Sequence, residues 1–303
     1  MGKIKDLLRN RNFILVLAAI FGLLLPQPSR WTEHLTLPAL AVVMTISTMG
    51  VSGRVFRSPR SLVVPALVGI LMSYVVLTGF ILGMSAIIIH EEDIWKGFIL
   101  LAVVPPAVAI ISFTEYLKGD SAYSLIGTMG AYLGALIIMP LIAMKFLGLR
   151  SFDLQRLPMI TVLLIIIPLL ISRILLWSRI VARLEPARGA ITNWSFFVVF
   201  YTIVGLNQEI FVGQPLRLAP VAAVAIASTF FLGLVIDAVG RLFRIDPKIT
   251  TSLVLLGTIK NYGLAAGLAL ALFGKQTALP ATVSTIFMFV YIMWLGFKAR
   301  RSM

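Results

Sequence analysis

The chain has 303 residues, 59% of them hydrophobic and only 13% charged, with a mean hydropathy of +1.01. A water-soluble domain of this length keeps far more charge on its surface, so the composition specifies an all-α polytopic membrane protein whose first partner is the lipid bilayer. The absence of cysteine excludes disulfides, thiolate metal sites and cysteine nucleophiles. The net charge of +14 sits in short loops between apolar runs, which is a topology signal and not a nucleic-acid surface.

Lys3, Lys5, Arg9 and Arg11 precede an apolar run that ends at Leu25, and Pro26-Gln27-Pro28 follows in place of a small-residue cleavage site. This reads as an uncleaved first span. Runs of spanning length fall at about 12–28, 35–53, 61–87, 95–117, 121–145, 157–178, 190–212, 216–238, 249–274 and 279–298. With a cytoplasmic N-terminus, 17 of the 26 Lys and Arg residues fall in inner segments and seven in outer ones. Both ends are therefore expected inside, in a bacterial or archaeal plasma membrane. Ten spans with both ends inside divide into a 5+5 inverted repeat, 1–145 and 157–303, within one transporter unit of 303 residues. The oligomeric state is left open.

Two spans are interrupted at mid-length. In the fourth, Pro105 and Pro106 remove backbone donors and free carbonyls of the preceding turn, which need protein, water or ligand as partners. A new half-helix is expected to start at the prolines, with its N-terminus suited to an anion. In the ninth, Lys260-Asn261-Tyr262-Gly263 places a charge in the apolar interior, at a cost of about 2.5–3.5 kcal/mol on insertion scales. Gly257, Gly263 and Gly267 allow close backbone approach beside it. Overlaying Gly119 on Gly274 is an offset of 155 residues, and the same offset lays Lys260 on Pro105 and Asn261 on Pro106. Paired breaks in two halves point to a secondary transporter's binding site.

Three roles are open to the Lys260 ammonium: pairing with an anionic substrate, standing where another carrier binds a cation, or exchanging a proton. The structural alternative is a lysine held by Asp237 or Glu209. Ser112 and Thr114 follow the first break and join Lys260, Asn261, Pro105, Pro106 and Gly263 as candidate substrate or coupling residues. Ser124, Thr128 and Tyr132, four residues apart, share one helix face and offer hydroxyls to a cation or substrate. No GxSxG elbow, HExxH helix or P-loop is present, so no enzyme is expected.

The stretches from Pro105 to Ser124, from Leu256 to Ala266, and from Met49 to Arg60 resemble the bile acid:sodium symporter family, in its bacterial-type ten-helix form. The resemblance covers nearly the whole chain, and the related arsenite exporters share part of it. It implies broken helices four and nine crossing at mid-membrane in a core domain, and a panel domain of helices one, two, six and seven. It also implies two sodium sites behind the crossover. For the first, Ser124 and Thr128 match the hydroxyl ligands, while the preceding Ser-Asn pair falls on Ile110-Ile111, or near Ser112 with a gap. For the second, the shared glutamate falls on Leu256, a glutamine on Lys260, and a third-helix glutamine near Ser73.

A hard cation needs several oxygens, and here the carboxylate is gone and a cation is built in. The expected protein is thus a secondary carrier of a small or amphipathic organic anion, without cofactor. It is sodium-independent or proton-coupled through Lys260, with Na+ at a remnant first site as the alternative. An arsenite exporter lacks its thiol here, and a channel or sensor on the same scaffold is the reading from another class.

Overall fold

The computed structural model describes residues 11–49, 59–107, 109–147, 167–178, 184–213 and 215–301. Outside these fall residues 50–58, which carry most of the second-helix exit, and the first part of the sixth span, 157–166. The described residues are helical apart from short connections and one isolated bridge. In chain order the helices are α1 (Arg11–Leu24), α2 (Thr36–Met49), α3 (59–88), α4 (Glu92–Val103), α5 (Ile110–Tyr116) and α6 (Ser121–Leu147). Then come α7 (Ile167–Trp177), α8 (Arg188–Leu206), α9 (Pro215–Leu242), α10 (Pro247–Leu256), α11 (Tyr262–Leu272) and α12 (Leu279–Arg301). Five helical stretches among the described residues are long and apolar enough to cross a membrane: Leu62–Ile88, Ser121–Leu147, Glu185–Leu206, Pro215–Leu242 and Leu279–Lys298.

Two expected spans differ in detail. The seventh was expected to run 190–212; it is helical over Arg188–Leu206 and again over Gln208–Gly213, with a break at Asn207 (φ −114°, ψ 15°). Its side-chain amide explains this, donating to the Ile203 carbonyl at 2.9 Å and to the Lys275 carbonyl across the fold at 3.0 Å. The fourth span does not restart at its prolines: α5 begins only at Ile110, because Val104 leaves α4 extended and Pro106 pairs with Lys260.

The helices pack in two groups. In the first, α8 lies against α1 and α2, and α7 against α2. In the second, α3 packs on α6, α9 on α10 and α12, and α4 on α6, α11 and α12. The groups meet chiefly where α2 and α8 touch α11 and where α8 touches α12. The half-helices α10 and α5 instead pack within the second group. The seam is therefore closed along the half of the ninth span that follows its break. The Asn207–Lys275 bond lies at that closed end.

Without a hydrophobic drive between helices in lipid, close packing depends on small residues. The α3–α6 contact shows this: a Cβ on Gly69 would lie 2.1 Å from the carbonyl oxygen of Gly127, and one on Gly130 2.6 Å from the Cα of Ala66. In two places the helical turn widens to i→i+5 bonding, at Leu71–Leu77 in α3 and Ala227–Phe231 in α9. The 155-residue offset carries the first onto the second. The helix ends at Gly119 and Gly274 correspond under the same offset. The Gly119 N–H bonds the Thr114 carbonyl at 2.8 Å, and the Gly274 N–H bonds the Ala269 carbonyl at 2.9 Å.

Gly69→Ala should lower the thermal midpoint in detergent, reflecting about 1–3 kcal/mol of overpacking against unyielding backbone. Gly79→Ala, whose Cβ meets nothing within 4 Å, should leave it unchanged. A second test concerns the loop before α4, where Arg217 Nε donates to Glu91 Oε1 at 2.9 Å. That hydrogen bond from Arg217 holds the Glu91 carboxyl below its ordinary 4.5. A carboxyl with a lowered folded pKa contributes stability that is complete above its unfolded value and is lost as pH falls through the folded one. Stability should therefore decline below about pH 4.5, by a small amount because solvent screens the pair. Arg217→Ala should remove this component from the pH–stability curve.

Candidate functional site

Val104 leaves α4 in an extended conformation (φ −63°, ψ 152°). Pro106 then pairs antiparallel with Lys260, and the Asn261 N–H donates to the Pro105 carbonyl at 2.9 Å. The two breaks thus cross backbone to backbone. Pro105 and Pro106 have no N–H to give, and the freed Pro105 carbonyl takes its donor from the lysine break. A further freed carbonyl, that of Ala102, accepts from Thr78 Oγ1 at 2.6 Å. Beyond the crossing Asn261 caps α11, its Oδ1 accepting from the Leu264 N–H at 3.1 Å.

Lys260 is 0% exposed. Its Nζ donates to Ser73 Oγ at 3.0 Å and to the Val104 carbonyl at 3.0 Å, and lies 4.4 Å from the centroid of the Tyr74 ring. Ser73 and Tyr74 sit in the widened segment of α3, where the slower turn brings neighbouring residues toward one partner. Neither acid weighed as its counter-ion is used. Asp237 binds Lys298 at 2.9 Å and Arg241 at 3.0 Å, and Glu209 lines a cavity at the closed end of the seam with Arg30 and Lys275. Among the described residues no carboxylate pairs with Lys260. The hydrogen bonds of the ammonium go to the second helix group, to Ser73 on α3 and to Val104 after α4.

The hydroxyl face of α6 turns toward the crossing. Ser124 Oγ and Thr114 Oγ1 bond each other at 2.7 Å. The Tyr132 hydroxyl accepts from Asn261 Nδ2 at 3.2 Å. Thr128 Oγ1 is buried and has no hydrogen-bond partner among the described residues. Ser112 falls on α5, and its side chain lies outside the described atoms. Leu256 is wholly buried, with its Cδ1 2.8 Å from where a Cβ on Gly127 would stand. Leu256 and Lys260 thus bring a methyl and an ammonium to the positions where the resemblance would put a carboxylate and an amide.

On the seam side, Lys260, Asn261, Tyr262 and Gly263 line a cavity of about 40 Å³ between the groups. Phe196, Phe200 and Leu15 close it from the first group, and Thr282, Thr285 and Phe289 from the second. Phe196 rests on Gly263, where a Cβ would meet its ring edge at 2.8 Å. Pro105 and Pro106 contribute backbone only. Tyr74, Thr78 and Phe196 were not singled out in the sequence, since an aromatic or threonine within an apolar span carries no mark of its own.

A hydrophobic helical body with two spans broken around a buried charge has the architecture of a membrane transporter. The model of the Sodium Bile acid symporter family matches residues 37–214, and the chain belongs to that family, as an integral membrane transporter. No curated protein matches the chain. The family match ends before α9, so Leu256 and Lys260 lie beyond it.

Asn261→Ala should remove both the α11 cap and the Tyr132 bond. The cap alone predicts a loss of about 0.5–2 kcal/mol, read as a lower unfolding midpoint in detergent, whereas Thr285→Ala, on the far wall of the cavity, should cost less.

Proposed function

We propose that this protein is a secondary active carrier of a small or amphipathic organic anion, working by alternating access, with the Lys260 ammonium standing permanently in place of a coupling sodium ion. One observation carries the reading: a fully buried ammonium held by Ser73 Oγ and the Val104 carbonyl, with no carboxylate partner among the described residues. A fixed positive charge behind the crossing favours an anion in front of it. The N-terminus of α11, at Tyr262, adds partial positive charge at the cavity, and the surrounding phenylalanines suit an apolar body attached to a carboxylate or sulfonate.

The moving parts are the two helix groups, the second carrying the crossover as a core and the first serving as a panel. The correspondence of the widened turns and of the bonds at Gly119 and Gly274 supports the inverted repeat. With both termini cytoplasmic, the closed end at Asn207 and Lys275 is extracellular, and the conformer faces inward. Proton exchange at Lys260 is the alternative to a permanently charged lysine, and a flux that follows an imposed pH gradient would favour it. A second reading keeps sodium at the first site, because the unpartnered Thr128 hydroxyl is the kind of oxygen such an ion takes.

The test starts from a thermal-shift screen of organic anions on purified protein, with and without sodium and at two pH values. Flux of the stabilising anion into proteoliposomes should persist when sodium is replaced by choline. Strict sodium dependence would sink the tethered-cation reading and favour the Thr128 site. Lys260→Gln should cut flux by roughly tenfold or more while the protein still purifies folded; unchanged flux would return Lys260 to a structural role.

A further inference from the structure

The surroundings of the Lys260 ammonium are more specific than charge burial alone requires. Two of its three N–H groups meet oxygens, Ser73 Oγ and the Val104 carbonyl, each at 3.0 Å, and the Tyr74 ring faces it at 4.4 Å. Ser73 and Val104 are both 0% exposed and Tyr74 6%. Two oxygens are too few for sodium, which takes about five or six. An aromatic face adds little for a strongly hydrated ion, but it attracts an ammonium, by about 2 kcal/mol or more when desolvated. One carbonyl, one hydroxyl and one π face match three N–H donors and leave the fourth direction for an alkyl arm.

These walls do not depend on the lysine side chain. Ser73 and Tyr74 belong to α3, and the Val104 carbonyl is positioned by the Pro106–Lys260 backbone bridge and the Asn261–Pro105 bond. We propose that Ser73, Val104 and Tyr74 form a binding site for a monovalent alkylammonium ion, occupied in the native protein by its own lysine, and that removing this side chain opens the site to a free ion of the same kind. The proposal rests on the tethered-cation reading of Lys260 and adds the chemical class of ion that the pocket accepts.

Lys260→Ala keeps the backbone and Cβ and deletes three carbons and the amine, so n-propylammonium replaces the missing atoms. In purified Lys260→Ala protein, n-propylammonium chloride should raise the unfolding midpoint saturably, by roughly 2–4 °C at a few-fold excess over Kd. The wild type should show no such shift. 1-Propanol, equal in shape but uncharged, and sodium chloride at matched ionic strength should each produce a much smaller one. An equal effect of 1-propanol would mean mere cavity filling and overturn the proposal. So would an equal effect of sodium, or no shift with n-propylammonium.

If Lys260→Ala does not fold, the cost of Tyr74→Leu is compared with and without Lys260→Met. A larger loss of midpoint in the presence of the lysine supports the pocket, and equal losses overturn it. Because the readout is stability, the outcome is independent of which anion is carried, and a failure of the carrier reading would show separately in flux.

Discussion

Where two broken helices cross in an apolar interior, every freed carbonyl and every charge must find its partner inside the protein. Here they find each other. The Lys260 Nζ bonds the Val104 carbonyl, Asn261 N–H bonds the Pro105 carbonyl, and Thr78 covers Ala102. Each unsatisfied group would be costly in hydrocarbon, so the crossing holds as a unit. Proline on one strand and lysine on the other is a complementary choice, since the prolines leave free carbonyls and Lys260-Asn261 brings donors to them. The orientation of α4, α5, α10 and α11 follows from this small backbone pairing.

The same crossing links structure to motion. All its members belong to one helix group, and the other group touches it through Phe196 on Gly263 and Leu40 on Gly267. Elsewhere along the seam Phe289 of α12 packs against the Leu15, Phe200 and Tyr201 cluster of the first group, an apolar contact. The Asn207–Lys275 bond at the closed end is a single hydrogen bond, typically worth about 0.5–1.5 kcal/mol net. A seam of this kind can separate without breaking the charged centre, which stays wholly within one body. In the proposed carrier, the substrate cavity then changes its access while the tethered cation keeps its place.

Much of this was legible beforehand at particular residues. Pro105-Pro106 and Lys260-Asn261 were visible because prolines and a charge are rare in apolar spans, and an equal offset paired them. Ser124 and Tyr132 were found by four-residue spacing. The start of α5 was misjudged because proline's preference for a first helical turn lost to the pairing of Pro106 with Lys260, a contact between residues more than 150 positions apart. The break at Asn207 within the seventh span has a similar origin, since Asn207 reaches Lys275 only in the folded chain. Tyr74 escaped notice altogether. Its role depends on a widened helical turn, and hydropathy does not report helical pitch.

By itself the sequence determined the membrane class, the order of helices and the depth of the two breaks, because apolar length and the rarity of buried charge are one-dimensional properties. It also determined that a lysine must be accommodated near the middle of the fold. Only the tertiary structure decided how. It directed the ammonium toward Ser73, Tyr74 and Val104 and not to Asp237 or Glu209. Direction is set by backbone pairing between distant segments, and a buried cation goes to whichever acceptors that pairing leaves within about 3 Å.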